Sequence, residues 1–468
     1  MRPTGDDAPD RNHSLIYWQE QAGLNNCRLA RELQELAQAH GDKNVHPDAR
    51  RVRAWRHGER PRDPVPELLL EVLRRHLGRH LTLAHIGLDP AATVTAWPGT
   101  PWVSTHTVTE IINCTRSDLM LGRRDVINHN AAVLTGDDLL RAVQPWTTAT
   151  PDPLDMPSGH RHNRIGLREV TQIHAVTAAL RELDNLHGGG LAREAVIGQL
   201  TWAASLLRDA TYTEKVGRKL YAAVGELASV AGWMSHDCGM HAAAQHYFLL
   251  GLRSAKEAGD ANLGAHLLNC MARQAGHQDR PQDALELVHL ALYGARNTAT
   301  PTIRAILHSL EARSYAVMGR PDFDRAAGLA EDAFARSASA DDPPWVGFFD
   351  ASEYYATLGV CYQIAARQGE STHATRSISM IEQAIALRAE GRIRSKTFDL
   401  IGLARAHLAA RDPDGAVAAT NSALELMAFV DSTRVHDRLR ELLDETAPYA
   451  GTSALGDLQA RITTRLDG

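Results

Sequence analysis

Small residues recur in pairs, seven positions apart, along the C-terminal two thirds of this 468-residue chain. The five pairs are Ala244/Gly251, Ala284/Ala291, Ala326/Ala333, Ser377/Ala384 and Ala416/Ala423, and successive pairs lie 40, 42, 51 and 39 residues apart. Two small side chains on one face of a helix allow a neighbouring helix to approach closely, and helix pairs that cannot bury their apolar faces alone stack on the next pair. The pattern therefore predicts an all-α chain with an α-solenoid of helix pairs.

The last of these units is similar to a tetratricopeptide repeat (TPR). In GLARAHLAARDPDGAVAATNSALELM, Gly402, Ala416 and Ala423 match the small-residue positions of that superfamily, and Leu408 and Leu424 are the expected apolar partners. The interval of about 40 residues is longer than the standard repeat, so we expect longer and degenerate TPR-like units. The resemblance implies a concave surface for a peptide, a protein or a second copy of the chain, and it implies no chemistry.

Composition narrows the class of protein. The chain is 44% hydrophobic, carries a formal net charge of −6, and begins with the polar segment MRPTGDDAPD. It contains no apolar run of the roughly 18 residues that a membrane helix requires. Its five cysteines are dispersed and odd in number, unlike a disulfide framework. We therefore expect a soluble, cytoplasmic protein with no membrane segment.

Changes in amino-acid composition divide the chain into four segments. Residues 1–13 are polar and predict a disordered tail, whereas residues 14–88 are rich in Leu and Arg and predict a small helical domain. Residues 89–163 are rich in Thr and Pro, which is typical of a linker. Residues 164–468 carry the helical repeats, for which we expect a role in sensing and dimerisation.

The predicted linker carries signs of partial structure. Asp118 to Ala132 has modest helical periodicity, and Asp137 can cap a short helix formed by LLRAV. Three tryptophans, Trp97, Trp102 and Trp146, also fall in this segment. Because a solvated linker seldom carries so much aromatic surface, we expect part of it to pack on a neighbour.

The densest positive charge lies between Asp48 and Arg62, in DARRVRAWRHGERPR. This window has a formal charge of +4 within a chain of net charge −6. Asp48 can cap a helix in which Val52 and Trp55 face inward and the arginines face outward, and Gly58 then ends it. A short basic helix with an apolar anchor is a form in which proteins enter a DNA groove.

Residues 14–88 resemble the helix-turn-helix domains of the phage-repressor (XRE-like) class, in the variant that begins many actinobacterial regulators of differentiation and secondary metabolism. The resemblance rests on Trp55, Gly58 and Pro61, and on the Pro-Glu-Leu-Leu sequence of residues 66–69. The interval from His40 to Pro47 is longer than the turn of the simplest members. Helical spacing predicts a structural core that includes Leu29, Leu33, Val52, Trp55 and Gly58.

The resemblance implies double-stranded DNA as a partner. We expect the arginines near the start of the basic helix to contact guanine edges; these are Arg50, Arg51 and Arg53. We expect later arginines, and two at the start of the preceding helix, to contact phosphates; these are Arg56, Arg60, Arg62, Arg28 and Arg31. A domain of this size binds DNA weakly alone, so we expect a homodimer formed through the repeats.

Other chemistry finds little support in the sequence. The segment SHDCGMH brings together His236, Asp237, Cys238 and His241, but no second half of a Cys/His ligand set stands at a familiar spacing. The chain also has no G-x-S-x-G, no H-E-x-x-H, no P-loop and no dinucleotide-binding glycine motif. We therefore expect no metal, no cofactor and no enzymatic activity.

Two functions remain in competition. The first is a sequence-specific DNA-binding transcription regulator, whose repeats form a homodimer and receive a small-molecule or peptide effector. The second is a TPR-like protein-binding scaffold, in which the arginines between residues 48 and 62 are only a solvated helix face. The first predicts salt-dependent and sequence-specific affinity for DNA, and the second predicts neither.

Overall fold

The computed structural model describes residues 12–40, 42, 45–59, 61–62, 64–77, 81, 83, 86, 88, 102–121, 133–148, 164–187, 192–367, 371–430, 432–447 and 453–467. Within these ranges all regular structure is helical, apart from an isolated bridge between Arg164 and Thr211. The predicted all-α class is therefore confirmed. Contacts divide the chain into a first unit, Met1–Thr100 with Arg123–Ala131, and a second unit, Pro101–Gly122 with Ala132–Gly468.

Within its described residues, the first unit has four helices that pack around one small core. They are α1 (His13–Gln21), α2 (Asn26–Ala39), α3 (Ala49–Arg56) and α4 (Val65–Leu77). The first three begin at side-chain caps, because Asn12, Asn25 and Asp48 accept hydrogen bonds from backbone N–H groups at 2.9, 2.9 and 2.7 Å. Both α1 and α2 contact α3 and α4.

Four of the five residues expected in that core are buried. Leu29, Leu33 and Val52 are fully buried, and Trp55 is 4% exposed. Gly58 differs, because it is exposed and has a φ of +93°. A residue with a Cβ rarely adopts this φ, so Gly58 contributes to the end of α3 through its backbone conformation and not through packing.

The second unit begins with helices that precede the repeats. These are α5 (Ser104–Leu121), α6 (Gly136–Val143), α7 (Pro145–Thr148), α8 (Leu167–His187) and α9 (Arg193–Asp209). Consecutive helix pairs follow, each joined by a short turn: α10 (Glu214–Asp237) and α11 (His241–Ala258), α12 (Ala261–His277) and α13 (Pro281–Gly294), α14 (Pro301–Val317) and α15 (Phe323–Ala335), α16 (Ala351–Ala366) and α17 (Ser371–Leu387), α18 (Ile393–Ala409) and α19 (Pro413–Leu426). Helices α20 (Thr433–Thr446) and α21 (Ser453–Asp467) complete the described chain.

The small-residue pairs lie on the second helix of each pair, and all ten residues are buried. Gly251 illustrates the reason, because a Cβ there would lie 2.7 Å from Leu267 Cδ2 and 3.2 Å from the carbonyl oxygen of Gly225. The first helices of successive pairs, α10, α12, α14, α16 and α18, also contact one another in order. The predicted architecture of stacked helix pairs is therefore confirmed.

Part of the predicted linker belongs to the second unit. Helix α5 contacts α9 and α11, while α6 and α7 contact α11 and α13. Trp102 lies against the cations of Arg253 and Lys256, and Trp146 is buried beside Gly264. Helix α5 shares only its last residues with the segment from 118 to 132 in which a helix was expected, and residues 122–132 lie outside the described ranges, as does Trp97.

Ion pairs connect the beginning and the end of the repeat array. Asp237 on α10 pairs with Arg394 on α18 at 2.9 Å and with Arg434 on α20 at 2.8 Å. Arg392, just before α18, pairs with Glu182 on α8 at 3.0 Å. The first helices of the pairs therefore surround an internal space, because both ends of the array meet.

Candidate nucleic-acid interface

Helix α3 separates its apolar and basic residues cleanly. Val52 and Trp55 point into the core of the first unit, and the arginines of the helix lie on its remaining faces. The Oδ1 atom of Asp48 accepts a hydrogen bond from the backbone N–H of Arg51 at 2.7 Å and holds the first turn. The helix thus has an anchored side and a side open to a partner.

Arg50 and Arg53 occupy the open side of α3. Both are exposed, and neither side chain makes an ion pair or hydrogen bond with any residue in the described ranges. Residues three apart on a helix are neighbours, so the two guanidinium groups share one face. Arg62, beyond the helix, is also exposed and forms no side-chain ion pair within those ranges. No described residue occupies the side-chain hydrogen-bond donors of these three arginines.

Arg51 and Arg56 have carboxylate neighbours. Arg51 forms an ion pair of 2.6 Å with Glu59, in which both side chains are at least half exposed. Arg56 donates to Asn26 Oδ1 at 3.1 Å and lies 3.3 Å from Glu20. Exposed ion pairs contribute only about 0–1 kcal/mol, so a phosphate can displace Glu59 from Arg51. Arg56 is less accessible, because it ties α3 to the start of α2.

The two arginines expected on α2 are exposed and near acidic residues of the same helix. Arg28 pairs with Glu32 at 3.0 Å, and Arg31 lies 3.9 Å from Glu35. Burial would raise the pKa of Glu32, but its hydrogen bonds to His76 and Arg28 outweigh that effect and lower the pKa. Both arginines lie within the first two turns of α2, where backbone N–H groups also favour anions. Arg60 lies outside the described residues.

The segment SHDCGMH forms histidine contacts and an ion pair. His236 lies 3.2 Å from His241 and 2.9 Å from His277, measured between ring nitrogens. Burial, together with the positive charge of Arg434, lowers the pKa of His236 to about 3. Among the described residues, no group of three or more His, Cys, Asp or Glu side chains is arranged to hold a metal ion. Asp237 is committed to the two arginines that join the ends of the array.

Comparison with known proteins gives one partial match. Residues 15–89 match the family model described as the SP15 N-terminal domain. That stretch contains α2 to α4, α1 from residue 15 onward, and all the arginines predicted to contact DNA. No match was found to a curated protein or to a solved structure. Within the described ranges, no helix combines the length and the apolar character needed to cross a bilayer.

Proposed function

We propose that this chain is a sequence-specific, DNA-binding transcription regulator of the helix-turn-helix type. The observation that carries the proposal is the pair Arg50 and Arg53, exposed and without partners in the described structure, on a short helix whose other side is held by Val52 and Trp55. Arginine forms bidentate hydrogen bonds with O6 and N7 of guanine, and a helix fits the major groove. In this assignment α3 is the recognition helix.

Phosphate contacts fit the remaining basic residues. Arg28 and Arg31 lie near the start of α2, and Arg56 connects that region to the end of α3. Arg51 and Arg62 flank the recognition face. Such contacts set the register on the duplex and supply salt-dependent affinity, while base contacts supply specificity.

The second unit supplies the working assembly in this proposal. Two copies joined through the helical repeats would present two α3 helices to half-sites one helical turn apart. A cytoplasmic location agrees with the thiols, because none of the five cysteines, all of which are described, forms a disulfide. The ion pairs between the two ends of the array also weigh against a protein scaffold, since such scaffolds present an extended open groove.

The test begins with selection of bound sequences from a randomised duplex library by the full-length protein. The selected duplex is then titrated against a random duplex of equal length at several salt concentrations. We expect preference for the selected duplex and affinity that falls steeply between about 50 and 200 mM salt. Absence of any enriched sequence would contradict the proposal.

Paired arginine variants identify the recognition face. Replacing Arg50 and Arg53 with Ala removes two base contacts of about 1–3 kcal/mol each, so preference for the selected duplex is expected to fall at least about 30-fold. The control is Arg116→Ala with Arg336→Ala, two exposed arginines of the second unit that likewise lack ion pairs with described residues. This control changes the net charge by the same amount and should leave the preference for the selected duplex unchanged. Equal effects of both double variants would show only a general charge effect and reject α3 as the recognition helix.

A further inference from the structure

A cavity of about 450 Å³ lies inside the second unit. The first helices of successive pairs, α10, α12, α14, α16 and α18, form most of its wall. Residues of α8, α13 and α20, and of the segments that precede α16 and α18, contribute the rest. Its volume falls in the range of roughly 300–1,000 Å³ that is typical of sites for small molecules.

The wall of the cavity is unusually rich in arginine. Five carboxylate residues and nine arginines line it. Seven of the arginines have a carboxylate partner at 2.5–3.0 Å, and these are Arg181, Arg388, Arg392, Arg394, Arg405, Arg434 and Arg438. The positive charge of these seven is therefore largely balanced within the protein.

The other two arginines lack such a partner. Arg313 on α14 makes no ion pair or hydrogen bond with a described residue through its side chain. The nearest carboxylate to Arg273 is Glu353 at 3.9 Å, and Glu353 lies closer, at 3.0 Å, to Arg388. Burial lowers the pKa of both, that of Arg313 to about 10, with the nearby charge of Arg438 as a second cause. Nearby carboxylates, Glu441 for Arg313 and Glu353 for Arg273, compensate these two cations less closely than the other seven are compensated, so an anion in this cavity would be attracted to them.

Buried polar atoms without partners lie in the same wall. Gln363 on α16 is fully buried, yet neither its Nε2 nor its Oε1 has a hydrogen-bond partner in the described structure. Asn269 on α12 is 2% exposed, and its Oδ1 is likewise unpaired. Folded proteins rarely leave such atoms unsatisfied. Both side chains belong to the cavity wall, and a rotation of either would bring its unpaired atoms to a ligand.

Aromatic rings supply an apolar surface beside the cations. Trp233 lies near both Arg273 and Arg434, whose guanidinium carbons are 5.2 and 5.8 Å from its ring centre. Phe398 lies 5.3 Å from Arg434 in the same wall. A planar apolar group can pack against these rings while an attached anionic group reaches a guanidinium.

We propose that this cavity binds a small organic anion, a carboxylate or phosphate attached to an aromatic or other apolar body. Arg313 and Arg273 hold the anionic group, and Gln363 and Asn269 bond to polar atoms of the ligand. The aromatic wall holds its apolar part. The site is contained in the second unit, and its test uses no DNA, so failure here and failure of DNA binding can be told apart.

The experiment compares two dyes with nearly the same aromatic body. Full-length protein is titrated with 8-anilinonaphthalene-1-sulfonate, which is anionic, and with N-phenyl-1-naphthylamine, which is uncharged. We expect one anionic dye to bind per chain, at least tenfold tighter than the uncharged dye, with quenching of tryptophan fluorescence. Equal affinity for the two dyes would mean an apolar cavity and would overturn the proposal.

Three variants make the assignment specific. Arg313→Gln and Arg273→Gln should each weaken the anionic dye at least tenfold and leave the uncharged dye unchanged, whereas the control Arg336→Gln should change neither. Because Arg313→Gln removes a partly buried charge that forms no ion pair with a described residue, the melting temperature of this variant should equal or exceed that of the parent chain. Unchanged anionic-dye affinity in both cavity variants would overturn the assignment.

Competition identifies the anionic group. Benzoate and phenyl phosphate share a ring and differ in the anion, and each is titrated against the bound dye. Displacement by benzoate supports a carboxylate ligand, and displacement by phenyl phosphate supports a phosphate ligand. Failure of both to displace the dye at millimolar concentration would contradict a site for small organic anions.

Discussion

A buried ion pair between Asp118 on α5 and Arg193 on α9 provides a quantitative test of how the second unit is held together. The two side chains are only 3% and 2% exposed. Arg193 Nη1 donates to Asp118 Oδ1 at 2.8 Å, and Arg193 Nη2 pairs with Asp118 Oδ2. Tyr247 donates to the same carboxylate at 2.6 Å, and Arg193 Nε donates to Ser235 Oγ at 2.9 Å. One network thus joins four helices.

The substitution Asp118→Asn tests this network with little change in shape. It leaves Arg193 buried without a counter-charge, and breaking a buried pair in this way costs about 3–5 kcal/mol of unfolding free energy. Burial alone would lower the pKa of Arg193, but its hydrogen bond to Asp118 outweighs burial and raises the pKa, in agreement with a stabilised charge. Asp118→Leu combined with Arg193→Met removes both charges. That double variant should cost only about 1–3 kcal/mol, chiefly because Tyr247 loses its acceptor.

Urea unfolding followed by circular dichroism at 222 nm measures these effects, since most of the helices lie in the second unit. The single variants Asp118→Leu and Arg193→Met complete a double-mutant cycle, for which we expect a coupling energy of at least about 2 kcal/mol. A cost below about 1 kcal/mol for Asp118→Asn, or a coupling energy near zero, would refute the view that this buried pair secures α5.

Three further predictions address packing, pH and capping. Gly264→Ala should destabilise by about 1–3 kcal/mol in thermal unfolding, because its Cβ would lie 2.2 Å from Trp146 Nε1, whereas Gly276→Ala on the same helix meets no atom within 4 Å and should be neutral or stabilising. Burial is the chief reason that the pKa of His236 in the folded chain is about 3. The contribution of neutral His236 to the free energy of unfolding is therefore complete above pH 6.5, and below that pH it falls by up to about 1.4 kcal/mol per pH unit. His236→Gln should therefore reduce the slope of the free energy of unfolding against pH between pH 6.5 and 5. An unchanged slope would show that His236 does not contribute to this pH dependence. Asp48→Ala should lower the stability of the first unit by about 1 kcal/mol, with Asp48→Asn near neutral in the same melting assay.

The repeat could be predicted from the sequence because its signal is local. Small residues seven apart mark one face of a single helix, and every such pair proved buried against a neighbouring helix. The boundaries of α3 could also be predicted from the sequence, since Asp48 and Gly58 act within one turn of its ends. Such features depend on contacts close in sequence and need no knowledge of the fold.

Helix α5 escaped prediction because its own sequence favours helix weakly. It is rich in threonine, a β-branched residue with low helix propensity. Thr115 and Thr107 direct their hydroxyl groups to backbone carbonyls four residues earlier, and Ile111 is fully buried. Packing against α9 and α11 therefore stabilises a helix that local propensity does not specify.

The sequence predicted which types of residue form the candidate sites, but not which of those residues have ion-pair or hydrogen-bond partners. Six arginines between residues 50 and 62 were visible as a group, yet only contacts distinguish Arg50 from Arg56, whose neighbours Glu20 and Asn26 are 36 and 30 residues away. The cavity left no signal in the sequence, because Arg273 and Arg313 come from different helix pairs. A site assembled by stacking has no local motif.

Substitution of Asp237 and substitution of Arg313 should have opposite effects on dye affinity and different effects on stability. Asp237 is 6% exposed and balances Arg394 and Arg434, so Asp237→Asn should lower the free energy of unfolding by about 3 kcal/mol. The same change leaves Asp184 as the remaining carboxylate beside Arg394 and Arg434, so the positive charge near the cavity rises and the anionic dye should bind more tightly. Arg313→Gln should show the reverse, with weaker dye binding and no loss of stability. A variant that merely damaged the fold would lower both quantities, so measuring melting temperature and dye affinity on both variants separates a ligand site from a structural role, and parallel changes in the two quantities would refute the site.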